Sequence, residues 1–261
     1  MIRKSNFSKM NANARYIHED KIHNFDAAKQ VVPFVISLLD PKSVVDVGCG
    51  TGTWLKVFQD YGIDKLLGID GDYVNKSLLK ISPENFIDFD LENFFMSKDK
   101  FELAISLEVA EHLKSDSSDL FIETLTNLSD TVIFSAAVIN QGGQNHINEQ
   151  APSYWIEKFE SKGFRLFDIL RPVFWDNECI EFWYRQNIML FTKREDLFKD
   201  LADYKNFGGK YIIHPNLFQS LNKSNNQLKN HLKQISSGKK DVRYYLNLFA
   251  KAVIRKIENN K

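Results

Sequence analysis

Apolar residues recur at helical spacing from Ala27 to Leu39, and Asp40-Pro41 ends that run before SVVDVG, a short stretch with the character of a buried strand. From there the chain alternates. Thr51 to Asp60 reads as a helix, KLLGID as a strand ending at Asp70, NFIDFD as a third strand ending at Asp90, FELAISL as a fourth and TVIFSAAV as a fifth. Helical stretches near 73–80 and 117–128 separate them. Strands that alternate with helices predict parallel βαβ units in an open sheet. A further helix is predicted from Gln150 to Lys162, after which GFRLFDILRP and YRQNIMLFTK supply two strands suited to an antiparallel end of the sheet. There is no internal repeat.

Past about Leu197 the alternation stops. FGGKYIIHPN reads as loop, NKSNNQLKNHLKQISSGKK as a polar, biased stretch, and DVRYYLNLFAKAVIRKIE as an amphipathic helix. Val242, Tyr245, Leu246, Phe249, Val253 and Ile257 make its apolar stripe, with Arg243, Lys251, Arg255 and Lys256 elsewhere around it. The change predicts a main domain over residues 1–197 and a basic, mainly helical extension over 198–261. The stripe suits docking of the helix, a homodimer or a helix lying peripherally in a membrane interface, and all three stay open at this point.

Charge sharpens the division. The 34 basic and 34 acidic residues cancel, but residues 204–261 hold 12 Lys/Arg against Asp241 and Glu258, which leaves 22 against 32 in residues 1–203. Phosphate binding rests on basic side chains, so an acidic body argues against a broad nucleic-acid surface there, and any polyanion contact belongs to the tail. At 261 residues and 43% hydrophobic, the chain is long enough for a full α/β core. Its longest apolar run, VVPFVISLL, is far below the roughly 18 residues a membrane span needs, and MIRKSNFSKMNANARYIHEDK lacks the apolar centre of a leader. A soluble, cytoplasmic protein is expected. Cys49 and Cys179 lie 130 positions apart without CxxC spacing, which indicates neither a disulfide framework nor a thiolate zinc site.

Candidate chemistry sits at the strand ends. VVDVGCGTG places Asp46, Gly48, Gly50 and Gly52 after the first strand, where glycines let backbone N–H groups approach a ligand and a helix N-terminus follows. Asp70, 22 residues after Gly48 at the end of the next strand, holds the position from which a carboxylate accepts hydrogen bonds from ribose hydroxyls. A dinucleotide dehydrogenase would want Gly or Ala at position 53, where this chain has Thr53. SLEVAEHL then sets Glu108, Glu111 and His112 at i, i+3 and i+4, which would share one face if the segment leaves its strand as a helical turn. INQGGQNHINEQAPSYW follows the fifth strand, and loops at the carboxyl ends of neighbouring central strands face one crevice, so His146 is expected to approach Glu108 to His112. Carboxylate oxygens with imidazole nitrogens suit Mg²⁺, Mn²⁺ or another divalent ion. The alternatives are a metal-free site with His112 or His146 as base, and purely structural roles in which Glu108 caps a loop.

The glycine spacing, with Asp46 two residues before it, resembles motif I of the class I S-adenosylmethionine-dependent methyltransferases, and the resemblance continues strand by strand over about residues 25–192. It implies a Rossmann-like, doubly wound, seven-stranded sheet, mostly parallel with an antiparallel end strand. It implies that Asp70 binds ribose, that Asp90 and Leu91 meet adenine, and that the backbone from Gly48 to Gly50 passes the methionine part. Asp46, Cys49, Gly71 and Leu107 complete the implied cofactor set, although strand-end capping would also account for Asp46 and Asp90. Glu108, Glu111, His112 and His146 resemble the ExxEH-plus-distal-His metal site of methyltransferases that modify the 2′-hydroxyl at the 3′ end of small RNAs, and the ExxEH of ubiquinone-pathway O-methyltransferases. LEVAEHL with FSAAV, GGQNHINEQAPSYW and WYRQN resembles a bacterial class I group that accompanies cell-surface glycan synthesis.

The expectation is methyl transfer from S-adenosylmethionine to a hydroxyl of a sugar, glycan precursor or other small polyol, assisted by Mg²⁺ or Mn²⁺, with His112, His146 and Glu111 as catalytic residues. RNA-end 2′-O-methylation, with contact through the basic tail, and a cofactor-binding scaffold without turnover are the alternatives. Tyr154 and Trp155 are expected on a helix face. Phe174, Trp175, Phe182, Trp183 and Tyr184 form an aromatic group suited to core and lid packing or to stacking on a sugar or base. Arg185 suits either an anionic acceptor or a salt bridge.

Overall fold

The apolar strand runs require cover on both faces, and they receive it. In the computed structural model, which describes residues 25–258, seven strands form one sheet: β1 (Ser43–Val47), β2 (Lys65–Asp70), β3 (Phe86–Asp88), β4 (Leu103–Leu107), β5 (Thr131–Ser135), β6 (Arg165–Phe167) and β7 (Met189–Thr192). Their order is β3-β2-β1-β4-β5-β7-β6, parallel except for β7, which runs antiparallel to both β5 and β6. This is the mostly parallel sheet with an antiparallel end that the alternation predicted, doubly wound and seven-stranded as the resemblance implied.

Strand pleating sends alternate residues to opposite faces. On β4, Leu103, Ile105 and Leu107 join the cluster built on α1 (Asp26–Leu39) and α2 (Thr53–Asp60). Ala104 joins the cluster built on α3 (Ser118–Leu128) and α4 (Pro152–Ser161), with Phe121, Ile122, Trp155 and Phe159. All five positions of β1, β4 and β5 are buried, as expected of strands covered on both faces.

Two stretches depart from the sequence expectation. Residues 73–80 hold only a single helical turn, Lys76–Leu78, capped by the Asn75 side chain, which accepts from Ser77 N at 3.1 Å. GFRLFDILRP and YRQNIMLFTK each divide between helix and strand: β6 is followed by α5 (Leu170–Phe174), and β7 is preceded by α6 (Phe182–Asn187). The reason is polar. Arg171, Gln186 and Asn187 are buried side chains bonded to loops instead of to solvent, a pattern that residue periodicity reads as strand.

Arg171 and Asp168 form a fully buried ion pair, with Arg171 Nε donating to Asp168 Oδ1 at 2.7 Å. Arg171 also donates to the carbonyls of Gln186 and Lys210, at 3.3 and 3.0 Å, and Gly209 N donates to Asp168 Oδ2 at 2.8 Å. The pair ties α6 to residues beyond α7 (Phe198–Ala202).

The chain divides into two compact units, Met1–His214 and Pro215–Lys261. The second contains α8 (Pro215–Ser236), where the polar, biased stretch had been read, and α9 (Val242–Glu258). The N-terminal stretch without a leader-like centre lies outside the described residues, as do the side chains of Val253 and Ile257 in the α9 stripe and of Lys256 beside it. Among the described residues no helix is long and apolar enough to cross a membrane.

Truncating one member of a buried ion pair strands its partner, so Asp168→Ala is expected to lower the unfolding free energy by roughly 3–5 kcal/mol, read as a fall in the urea midpoint.

Candidate active site

The sheet order reverses between β1 and β4, and the crevice at that switch point collects the strand-end residues. On the β1 side, Gly48, Gly50 and Gly52 adopt left-handed φ of 87°, 54° and 82°, which turn the chain sharply from strand into α2. Gly48 N donates to Ile69 O at 2.7 Å, and a Cβ at Gly48 would stand 2.3 Å from a methyl of Val109, so the loop lies hard against the segment that follows β4. Asp70 closes the far wall: its carboxylate accepts from Gly50 N at 2.6 Å, from Gly71 N at 2.7 Å and from the Tyr73 hydroxyl. Tyr73 covers Gly71, where an added Cβ would meet the ring at 2.3 Å.

Asp46 is buried at the end of β1, and its Oδ2 meets no protein donor. Burial pushes its carboxyl well above the ordinary range, and the Asp70 charge adds to the effect. The Cys49 thiol is likewise pushed well up, by burial and then by Asp46 and Asp70, which disfavours the thiolate that a nucleophile needs. Asp90 accepts from Glu92 N at 3.1 Å and Asn93 Nδ2 at 2.9 Å, which makes a tight turn beyond β3. Leu91 and Leu107 are buried beside it and at the end of β4.

On the β4 side the chain does not enter a helix at Glu108. That residue takes a left-handed φ of 56°, and a short turn forms only at Ala110–His112. The shared i, i+3, i+4 face expected from spacing is therefore broken. Glu108 instead directs its carboxylate to Gln141 Nε2 at 2.9 Å and Asn187 Nδ2 at 3.1 Å, while Ser135 Oγ holds its amide at 3.0 Å. Burial raises its pKa, and these hydrogen bonds offset part of the rise.

Glu111, His112 and His146 come together, each with one ligand atom within 4.8 Å of the others. What brings the distant histidine in is backbone: Ile147 N and Asn148 N both donate to the Glu111 carbonyl, at 2.9 and 3.0 Å. The buried Asn148 side chain reinforces this clamp through Ser118 Oγ at 3.2 Å. The two imidazoles meet edge to face at 4.9 Å between centroids. His146 Nδ1 pairs with Glu149 Oε1 at 2.9 Å, and Glu149 also accepts from Asn140 N and Gly142 N at 2.8 and 2.6 Å. A carboxylate on Nδ1 fixes the ring and leaves Nε2 for a ligand.

The Glu111 carboxylate is the anomaly. It is fully buried, and neither oxygen has a partner at hydrogen-bond geometry. Burial, then the Glu108 charge, push its pKa well above the usual carboxylate range, against only a lesser lowering from its own amide and that of Ala137. Two orphaned oxygens beside two imidazoles form a donor set that fits a divalent cation.

Sequence spacing did not single out Glu149, Gln141, Asn148 or Asn187, which orient the candidate residues. Their one signal was density of polar residues in GGQNHINEQ and WYRQN, too general to assign partners. Trp155 is core, 5.3 Å from the Phe134 ring, with Tyr154 edge-on to it. Tyr184 packs against Trp54, and Arg185 is buried, donating to Trp175 O at 3.2 Å.

A seven-stranded doubly wound sheet of this order, with antiparallel β7 between β5 and β6, a glycine loop after β1 and a carboxylate at the end of β2, has the fold of the S-adenosylmethionine-dependent methyltransferases. The family described as methyltransferase domain matches residues 20–181, and the chain belongs to it and is a methyltransferase. Similar solved structures include the methyltransferase domain of bacterial CtHen1 (20% identity, 65% of this chain, all of that one, TM-score 0.46). Others are Streptomyces venezuelae DesVI (12%, 66% and 93%, TM-score 0.49) and human N-acetylserotonin methyltransferase in complex with SAM (15%, 64% and 50%, TM-score 0.44). No curated protein matches the chain.

A raised folded pKa at Asp46 contributes stability below the unfolded carboxylate range, near about pH 4, and that contribution is lost as pH rises through the folded value. Asp46→Asn removes the charge at constant shape, so above that window the ligand-free variant is expected to gain roughly 1–3 kcal/mol over the parent, with no gain below about pH 4, in urea midpoints taken across pH.

Proposed function

We propose that the protein transfers the methyl group of S-adenosylmethionine to a hydroxyl of a sugar, glycan precursor or other small polyol, with a divalent cation held by Glu111, His112 and His146. The observation that carries the metal assignment is the fully buried Glu111 carboxylate with two unpartnered oxygens, in reach of two imidazoles. Mg²⁺ and Mn²⁺ suit this oxygen-containing set, and a vicinal diol suits a cation with open positions.

Asp70 and Asp46 are assigned to the cofactor with the backbone from Gly48 to Gly50, Gly71, Leu91 and Leu107; Cys49 contributes its backbone, and Asp90 shapes the turn at the adenine end. Two of the acceptor positions on Asp70 are filled by fixed amides, so ribose hydroxyls compete with the Tyr73 hydroxyl for the rest. Asp46 Oδ2, buried without a donor, is suited to a polar or cationic part of the ligand. S-adenosylmethionine supplies an electrophilic methyl group on a sulfonium, and a bound cation supplies Lewis acidity that lowers the pKa of an alcohol.

The chain's own contribution is alignment and proton handling. Methyl transfer from sulfur is an in-line displacement, so the walls formed by the Gly48 loop and the Glu111 turn set the approach of acceptor to donor. His112 and His146 can take the hydroxyl proton only where their nitrogens do not hold the cation, which is the metal-free form of the site, and in either form Glu149 holds His146 in orientation. Glu108 braces the wall through Gln141 and Asn187, so it is assigned to positioning and, of the four expected ligands, is the one not counted as such.

The sugar assignment rests on the resemblance of LEVAEHL, FSAAV, GGQNHINEQAPSYW and WYRQN to the glycan-associated group. A ribose 2′-hydroxyl at an RNA end offers the same diol and is the second reading, disfavoured by the acidic body and kept open by the basic tail. In an assay with methyl-labelled cofactor against sugars, nucleotide sugars, lipid-linked glycans and RNA, label is expected in the sugar-containing acceptors. Chelation of divalent ions is expected to abolish it, and His146→Ala to cut the rate by about 100-fold or more while cofactor binding by calorimetry is unchanged. Activity undiminished by both changes would contradict the metal assignment, and label confined to RNA would favour the second reading.

A further inference from the structure

The unit Pro215–Lys261 has an exposed apolar surface that the methyl-transfer reading leaves without a purpose. On α8, Leu221, Leu228 and Leu232 lie at i, i+7 and i+11, sharing one face with Phe218, and Phe218, Leu228 and Leu232 are 61%, 56% and 55% exposed. On α9, Val242, Leu246 and Phe249 fall at i, i+4 and i+7 and are 75%, 62% and 69% exposed. Contacts at the intervening turn leave these faces outward: His231 Nε2 meets the Tyr244 hydroxyl at 3.0 Å, and the Tyr245 hydroxyl donates to Ile235 O at 2.6 Å. Soluble helices rarely present two such stripes to water without an occupant.

The charge on the same helices selects the occupant. Residues 204–240 contain seven lysines and no Asp or Glu, and residues 215–261 hold ten Lys/Arg against Asp241 and Glu258. At helical spacing Lys229 and Lys233 border the apolar face of α8. Self-association of such helices would set lysine against lysine, since α8 offers no acidic residue to pair with them as helix–helix interfaces do. Nucleic acid would satisfy the lysines but leave exposed leucines and phenylalanines in water. A surface that is apolar beneath and anionic at its rim satisfies both.

We propose that the C-terminal unit docks the enzyme on an anionic lipid surface, with the leucine and phenylalanine stripes of α8 and α9 in the headgroup boundary and the flanking lysines on acidic headgroups. The test is co-sedimentation of the full-length protein with phosphatidylcholine vesicles, with and without phosphatidylglycerol. The protein is expected to pellet with the anionic vesicles alone and to be released by raised salt. Leu246→Asp with Phe249→Asp, and separately Lys229→Glu with Lys233→Glu, should each weaken binding about tenfold or more. All four positions are exposed, so helical content and calorimetric cofactor binding should match the parent. Absence of vesicle binding, or binding indifferent to both double variants, would overturn the proposal. So would a dimer in light scattering broken by Leu246→Asp with Phe249→Asp, or capture of an RNA oligonucleotide, where vesicles are not bound.

Discussion

The buried carboxylate of Glu111 and the carbonyl of the same residue together organise the crevice. The carbonyl receives two amides from the loop after β5, which fixes His146 beside His112, while the buried carboxylate has no partner at hydrogen-bond geometry on either oxygen. An unpaired buried carboxylate costs several kcal/mol if ionised, and its pKa rises until the proton returns or a cation arrives. Fold stability alone would be better served by an apolar residue here. A proton or a positively charged guest recovers that cost, and the second is the physical content of the metal proposal.

The neighbouring elements divide the remaining labour. A left-handed residue at Glu108 ends β4 abruptly and turns the next three residues into the crevice, and Gln141 and Asn187 hold that turn by its carboxylate. The buried Asp168–Arg171 pair fixes α6, and so the position of Asn187, from the far side. Across the switch point Gly48 lies so close to Val109 that a Cβ there would meet its methyl at 2.3 Å, so the glycine loop packs directly against the segment that leads into the Glu111 turn.

Much of this was legible in the sequence because strands covered on both faces must be apolar and strand ends that meet ligands must not be. The succession of strands along the chain, the glycine loop and Asp70 follow from that contrast, and the approach of His146 to His112 follows from loops at neighbouring strand ends sharing one crevice. The place of Glu108 did not, because spacing assumes a helix where the backbone takes a left-handed residue, and no pattern of side chains announces a single φ. The helix at Phe182–Asn187 was hidden for a related reason: its polar side chains are buried by specific hydrogen bonds, which periodicity cannot distinguish from exposure. Glu149 was invisible as an orienting group since its partner is three residues away in a loop without regular geometry. The helix α8 lacked signal because its stripe is thin, interrupted by asparagine and serine.

Direct titration with Mn²⁺, followed by the paramagnetic signal of the free ion, tests the central claim without needing the acceptor. The account predicts a single ion bound per chain in the parent protein and loss of that binding in Glu111→Gln, with helical content unchanged. An absence of binding in the parent, or equal binding in Glu111→Gln, would contradict it.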